Sequence, residues 1–265
     1  MNVDMLCHDL AAERAELQGF LDLVGTDWQI DTPALGWTVL DQVTHLAWFD
    51  QAATQSIVAP SEFVAARDHV RKNVGNFVDA VRVENHARTI DDVRRWLISA
   101  GESLIFAARA ADPTVRVPWY GPDMTVASSI TARIMETWAH TQDIVDTVGA
   151  TRVPSDRLAH IAFIGWRALP FSFAAHGRSV PSEPVRVEVG DLAFGPEDAD
   201  NVVRGSALDF CLLVTQRRHV ADTDLRAIGP VASTWLSIAQ AFAGPPGAGR
   251  QPGQFDGGVS ASRID

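Results

Sequence analysis

Arg133-Ile134-Met135-Glu136-Thr137-Trp138-Ala139-His140-Thr141-Gln142-Asp143 is the stretch from which the fold can be read. It lies within a segment of helical spacing from Thr125 to Val148, ended by Gly149, a residue suited to the left-handed position after a helix. Ile130, Ile134, Met135, Trp138, Ala139, Ile144 and Val145 make this helix apolar on more than one side, which predicts burial. Arg133, Glu136, His140 and Asp143 follow one another at three- and four-residue steps and so form an ionisable stripe. A buried stripe of that kind must be ion-paired or metal-bound. Glu136 and His140, four apart, can hold one ion together; an internal Arg133–Glu136 salt bridge is the competing account. Spacing alone does not choose, because an acid also precedes a histidine by four at Asp4/His8, Asp41/His45 and Asp156/His160.

Upstream, the chain reads as helices. Residues 3–24 place Val3, Leu6, Leu10, Leu17, Phe20, Leu21 and Val24 at spacings near three and four. A loop from Asp31 to Gly36 precedes a second helix, where Thr38-Val39-Leu40-Asp41 has the form of a capping box and Pro60 marks the end. His45 sits on this helix among Val43, Leu46 and Ala47. A lone histidine on an apolar helix reads first as a hydrogen-bonded core residue, and Asp41 as a cap. A third helix is expected from Ser61 to about Val83, and a fourth, capped by Thr89, through Ala108. Ala111–Met124 reads as a loop; its Pro118-Trp119-Tyr120-Gly121-Pro122 holds the single tyrosine beside a tryptophan, either lining a pocket or anchoring the packing. Pro154-Ser155 opens a sixth helix that must kink or stop near Pro170.

Past Gly177 the texture changes. Val185–Val189 alternates with period two, Gly190-Asp191 turns it into Leu192–Phe194, and short strands are expected near Asn201–Arg204 and Asp224–Ile228. Ser206–Gln216 and Pro230–Phe242 read as helices. The fold class is therefore α+β. A helical bundle over 1–176 precedes a small α/β domain over 177–243, and a Gly/Pro-rich tail over 244–265 is expected to be disordered. Arg217 and Arg218 close the apolar helix of the second domain. They suit either an anionic substrate or the negative end of that helix.

Composition narrows the function. The 33 acids outweigh the 22 bases, for a net charge of −11, which disfavours nucleic-acid binding. Mean hydropathy is +0.01 and no apolar run nears the ~20 residues that span a bilayer, so no membrane association is expected. Cys7 and Cys211 form no CxxC pair, which predicts free thiols and a reducing, cytoplasmic setting. There is no Gly-rich phosphate loop, GxSxG elbow or HExxH.

Gly36-Trp37-Thr38-Val39-Leu40-Asp41-Gln42-Val43-Thr44-His45-Leu46-Ala47, with Asp50 after it, resembles the second helix of the DinB-like metal-binding superfamily. The 133–143 stretch resembles the signature of the mycothiol-dependent maleylpyruvate isomerase family. A further similarity runs from Gly205-Ser206-Ala207-Leu208-Asp209-Phe210 through Arg217-Arg218. The resemblance implies a DinB-like four-helix bundle joined to a small α/β domain. It places metal ligands at His45, Glu136 and His140, with zinc the first choice among divalent ions. Asp41, Arg133 and Asp143 become candidates to support those ligands, and Trp119 and Tyr120 to contact the thiol cosubstrate mycothiol. Arg217 and Arg218 become candidates to contact the substrate. The function implied is thiol activation for isomerisation of, or S-transfer to, a small electrophile, by a monomer or homodimer. A metal-dependent hydrolase that needs no thiol and a non-catalytic metal- or ligand-binding protein are the alternatives.

Overall fold

The computed structural model describes residues 2–73 and 77–255. Its contacts divide the chain into two compact units, Met1–Arg152 and Val153–Asp265.

The first unit is built on four long helices: α1 (Val3–Val24), α2 (Val39–Val58), α5 (Ile90–Ala110) and α6 (Val126–Thr147). α1 packs on α6, α2 on α5, and α2 also meets α6. Their apolar stripes close over Leu17, Leu21, Trp28, Leu40, Val43, Leu46, Val93, Leu97 and Ile144. The helix starts are chemically specified. Thr38 forms the expected capping box with Asp41, and Thr89 and Thr125 cap α5 and α6 through their hydroxyls. Between α2 and α5, the segment expected as one helix over 61–83 is described as α3 (Pro60–Asn73) and α4 (Phe77–Asn85), with residues 74–76 outside the described residues. Within 111–124, expected as loop, Arg116–Val117 (β1) pairs antiparallel with Met124–Thr125 (β2). Two residues per strand are too few for a period-two pattern to show.

In the second unit, α7 (Leu158–Arg167) and α8 (Leu169–Ala175) flank the expected break at Pro170. A four-stranded sheet of order β4-β3-β5-β6 follows, from Val185–Val189 (β3), Leu192–Phe194 (β4), Asn201–Gly205 (β5) and Arg226–Ile228 (β6). β3 runs parallel to β5, and the other pairs are antiparallel. α9 (Ala207–Val214) and α10 (Pro230–Leu236) complete the unit; α10 stops short of the expected Phe242.

The division at Arg152/Val153 precedes the boundary expected at 177 because α7 docks on α9. Gly165 makes that approach possible: a Cβ there would stand 2.7 Å from Val214 Cγ2. The tail also departs from expectation over 244–255. Gly253 N–H donates to Asp222 Oδ1 at 2.8 Å, and the Arg218 guanidinium lies 3.7 Å from the Phe255 ring centroid. Residues 256–265 lie outside the described residues. Among the described residues, no single helix is long and apolar enough to cross a membrane.

Candidate metal centre

α6 presents Glu136 and His140 from one face, as four-residue spacing requires. α2 brings His45 to the same point. Glu136 Oε2 lies 3.5 Å from His45 Nε2 and 3.3 Å from His140 Nε2. One donor atom from each of the three residues falls within 4.8 Å of the others. These separations are long for a charge-assisted hydrogen bond, ~2.7–2.9 Å, and leave the contacts weak ones. They match the edge of a coordination tetrahedron, since donors about 2.0–2.1 Å from a zinc ion stand about 3.3 Å apart. The donor set thus fits a divalent ion in both chemistry and spacing.

Protonation agrees with the geometry. Burial, followed by the neighbouring His140, pulls His45 down to about 4 against the opposing pull of Glu136. Burial works to raise Glu136, but the hydrogen-bonding and charge of His140 and His45 outweigh it and hold the carboxyl well below its usual range. A neutral imidazole and an ionised carboxylate are the forms that metal binding needs.

Aromatic rings enclose the imidazoles. Trp37 lies stacked on His140 at 5.9 Å and meets His45 edge-on at 5.5 Å, while Phe49 packs 4.4 Å from His45. Phe49 continues into a cluster with Trp119 and Tyr120, where Trp119 stacks on Phe63 at an interplanar angle of 4°. Arg67 donates to the Trp119 carbonyl at 3.1 Å, which fixes the loop. Trp119 and Tyr120 thus sit one ring away from His45, through Phe49. Burial raises the Tyr120 hydroxyl to about 12, with Arg67 opposing.

The supporting residues are redistributed relative to the sequence reading. Arg133 does not pair with Glu136; its Nε donates to Asp50 Oδ1 at 2.9 Å, and Asp50, 1% exposed, also binds Arg14. Gly101 on α5 leaves the room for Arg14, since a Cβ there would fall 1.3 Å from Arg14 Nη1. Asp41 serves the capping box, accepting from Thr38 N–H at 2.9 Å and the Thr38 hydroxyl at 2.8 Å, rather than an imidazole. Asp143 is fully buried on α6. The residue that holds an imidazole is Gln42, whose Oε1 contacts His140 Nδ1. Its only sequence signal was a position three before His45 on the same helix. His45 Nδ1 is buried with no hydrogen-bond partner among the described residues.

In the second unit, Arg217 and Arg218 follow the end of α9. Gln216 takes a positive φ of 58°, and Arg217 N–H returns to the Leu212 carbonyl at 2.7 Å while its Nη1 donates to the Thr215 carbonyl at 2.6 Å.

The model of the mycothiol maleylpyruvate isomerase N-terminal domain matches residues 10–145. Two uncharacterised proteins of Mycobacterium tuberculosis, from strains CDC 1551 and H37Rv, are each 39% identical over 255 residues, covering 91% of this chain and 96% of the relative. The crystal structure of a mycothiol-dependent maleylpyruvate isomerase is similar in fold at a TM-score of 0.60 and 15% identity, covering 86% of this chain and 93% of that one. A histidine-to-alanine mutant of that enzyme gives 0.59 and 14%.

Proposed function

The chain belongs to the mycothiol maleylpyruvate isomerase N-terminal domain family, and from that premise we propose that it is a divalent-metal-dependent enzyme. It activates a low-molecular-weight thiol, mycothiol, for isomerisation of, or S-transfer to, a small electrophile. The observation that carries the reading is the convergence of His45, Glu136 and His140, with one donor atom of each within 4.8 Å of the others and Glu136 Oε2 at 3.5 and 3.3 Å from the two imidazole nitrogens. The thiol comes from the fold-related enzyme, which is mycothiol-dependent.

When bound, a divalent ion supplies the charge that holds a thiol as its thiolate at neutral pH. The chain's own residues do the rest. Neutral His45 and ionised Glu136 offer lone pairs without first having to lose a proton. Trp37 and Phe49 pack against the imidazole rings. Trp119 and Tyr120 offer ring surface to the apolar parts of thiol or electrophile. The nucleophilic sulfur is not the protein's. Cys7 and Cys211 are both buried, and burial raises both thiols, Cys211 far above its ordinary value.

Elemental analysis should find one equivalent of divalent metal per chain, sharply reduced in His45→Ala and Glu136→Ala. Cobalt-loaded protein should gain a sulfur-to-metal charge-transfer band on addition of mycothiol, and the band should persist in a Cys7→Ser/Cys211→Ser variant. Equal metal content in all three proteins ends the metal reading. A band that never forms, with no reaction rate responding to mycothiol, ends the thiol reading.

A further inference from the structure

The two imidazoles of the centre are held differently, and the difference follows from counting hydrogen-bond donors outward from His140. Gln42 is fully buried on α2, with Oε1 against His140 Nδ1 and Nε2 donating to the Thr32 hydroxyl oxygen at 2.9 Å. Thr32 Oγ1 in turn donates to the Trp37 carbonyl at 2.8 Å and accepts from Ala34 N–H at 3.3 Å. A threonine hydroxyl has one proton and two lone pairs. Here the proton goes to a carbonyl that can only accept, and both lone pairs are filled by N–H donors. Thr32 therefore has no proton left for Gln42, which must turn its NH2 toward Thr32 and its oxygen toward His140. An amide oxygen can only accept, so His140 Nδ1 must carry the proton.

We propose that Gln42 is the positioning residue of the centre. Through the Trp37 carbonyl and the Thr32 hydroxyl, it fixes a proton on His140 Nδ1 and leaves Nε2 as the nitrogen that faces Glu136. His45 has no such support on its outer nitrogen: its Nδ1 is buried without a partner among the described residues, while Trp37, Phe49 and His140 pack around its ring. Trp37 acts at both ends of the relay, its carbonyl anchoring the chain of bonds and its ring covering His140. A metal-binding histidine gains both orientation and basicity when its other nitrogen donates to an acceptor. The assignment of the tautomer is independent of the metal reading; the effect on affinity rests on it.

Nitrogen-15 histidine spectra of the full-length, metal-free protein at neutral pH test the tautomer. Wild type should show His140 protonated on Nδ1. Gln42→Glu keeps an acceptor and should keep that state, whereas Gln42→Leu should give a mixture of tautomers. Thr32→Val frees the Gln42 amide to turn over and should also give a mixture, so it carries the test if Gln42→Leu fails to fold. Zinc affinity should fall about 10- to 100-fold in Gln42→Leu and be restored in Gln42→Glu. An Nδ1 that carries no proton in wild type overturns the proposal, as does a proton distribution that neither Thr32→Val nor Gln42→Leu changes. Equal zinc affinity across variants whose tautomer has shifted overturns the positioning role. A wild-type protein that takes up no metal ends the metal reading, and the spectra then decide the tautomer by themselves.

Discussion

Tyr120 is the single tyrosine of the chain, so its ionisation reports on the aromatic cluster beside His45 without interference. Burial favours the neutral phenol and moves its pKa from 10.0 to about 12. The sign of the stability effect follows. Between pH 10 and about 12 the unfolded chain loses the phenolic proton and the folded chain keeps it, so Tyr120 lowers stability as pH rises through that window. Phenolate absorbance should titrate near 12 in the native protein and near 10 in urea. A native midpoint near 10 would show that the ring is not held in the cluster. Trp119 and Tyr120 could be picked out from sequence because they form an aromatic pair between prolines. Their contact with Phe49 and Phe63 joins residues from α2 and α3, and no local pattern encodes it.

At the scale of elements, the register of α2 against α6 sets the centre, and Asp50 governs that register. It lies five residues after His45 on α2 and binds Arg133, three residues before Glu136 on α6, together with Arg14 of α1. All three charges are largely withdrawn from water. Asp50→Asn would leave two buried guanidiniums sharing a neutral amide, and should cost about 3–5 kcal/mol in urea unfolding, the range for breaking a buried pair. A loss below about 1 kcal/mol, typical of exposed pairs, would place the contact at the surface. The helices themselves were readable from spacing and caps: Thr38, Thr89 and Thr125 act as local signals within three residues of the groups they bond. The partner of Arg133 was not readable. Glu136 was a neighbour in helical sequence, but Asp50 is a neighbour only after α2 packs on α6.

For the whole molecule, the second unit begins with α7, and its chain stays engaged beyond α10. Gln240 Nε2 donates to the Gly244 carbonyl at 3.0 Å, Gly253 to Asp222, and Arg218 stacks on Phe255. Ending the chain at Gly244 removes a hydrogen bond worth about 1 kcal/mol and a cation–π contact worth about 0.5–1 kcal/mol. Thermal unfolding should then come earlier by a few degrees, at about 2–4 °C per kcal/mol for a chain of this size. A chain ending after Phe255 is the control; equal Tm values for the two would return 244–255 to the unpacked segment its composition suggests.

Sequence by itself determined the class of the fold, the identity and spans of its long helices, the β3–β4 hairpin and the placement of Glu136 and His140 on one face of a helix. Each depends on a period, a cap or a turn acting over fewer than about five residues, distances at which backbone geometry fixes side-chain direction. Resemblance added His45 to that pair. Tertiary structure alone decided that Arg133 binds Asp50, that Gln42 rather than Asp41 holds His140, and that α7 docks on α9. These contacts join groups far apart in the chain, and which partner a buried charge or amide finds is settled only when helices pack and exclude water, leaving each donor the acceptor that happens to face it.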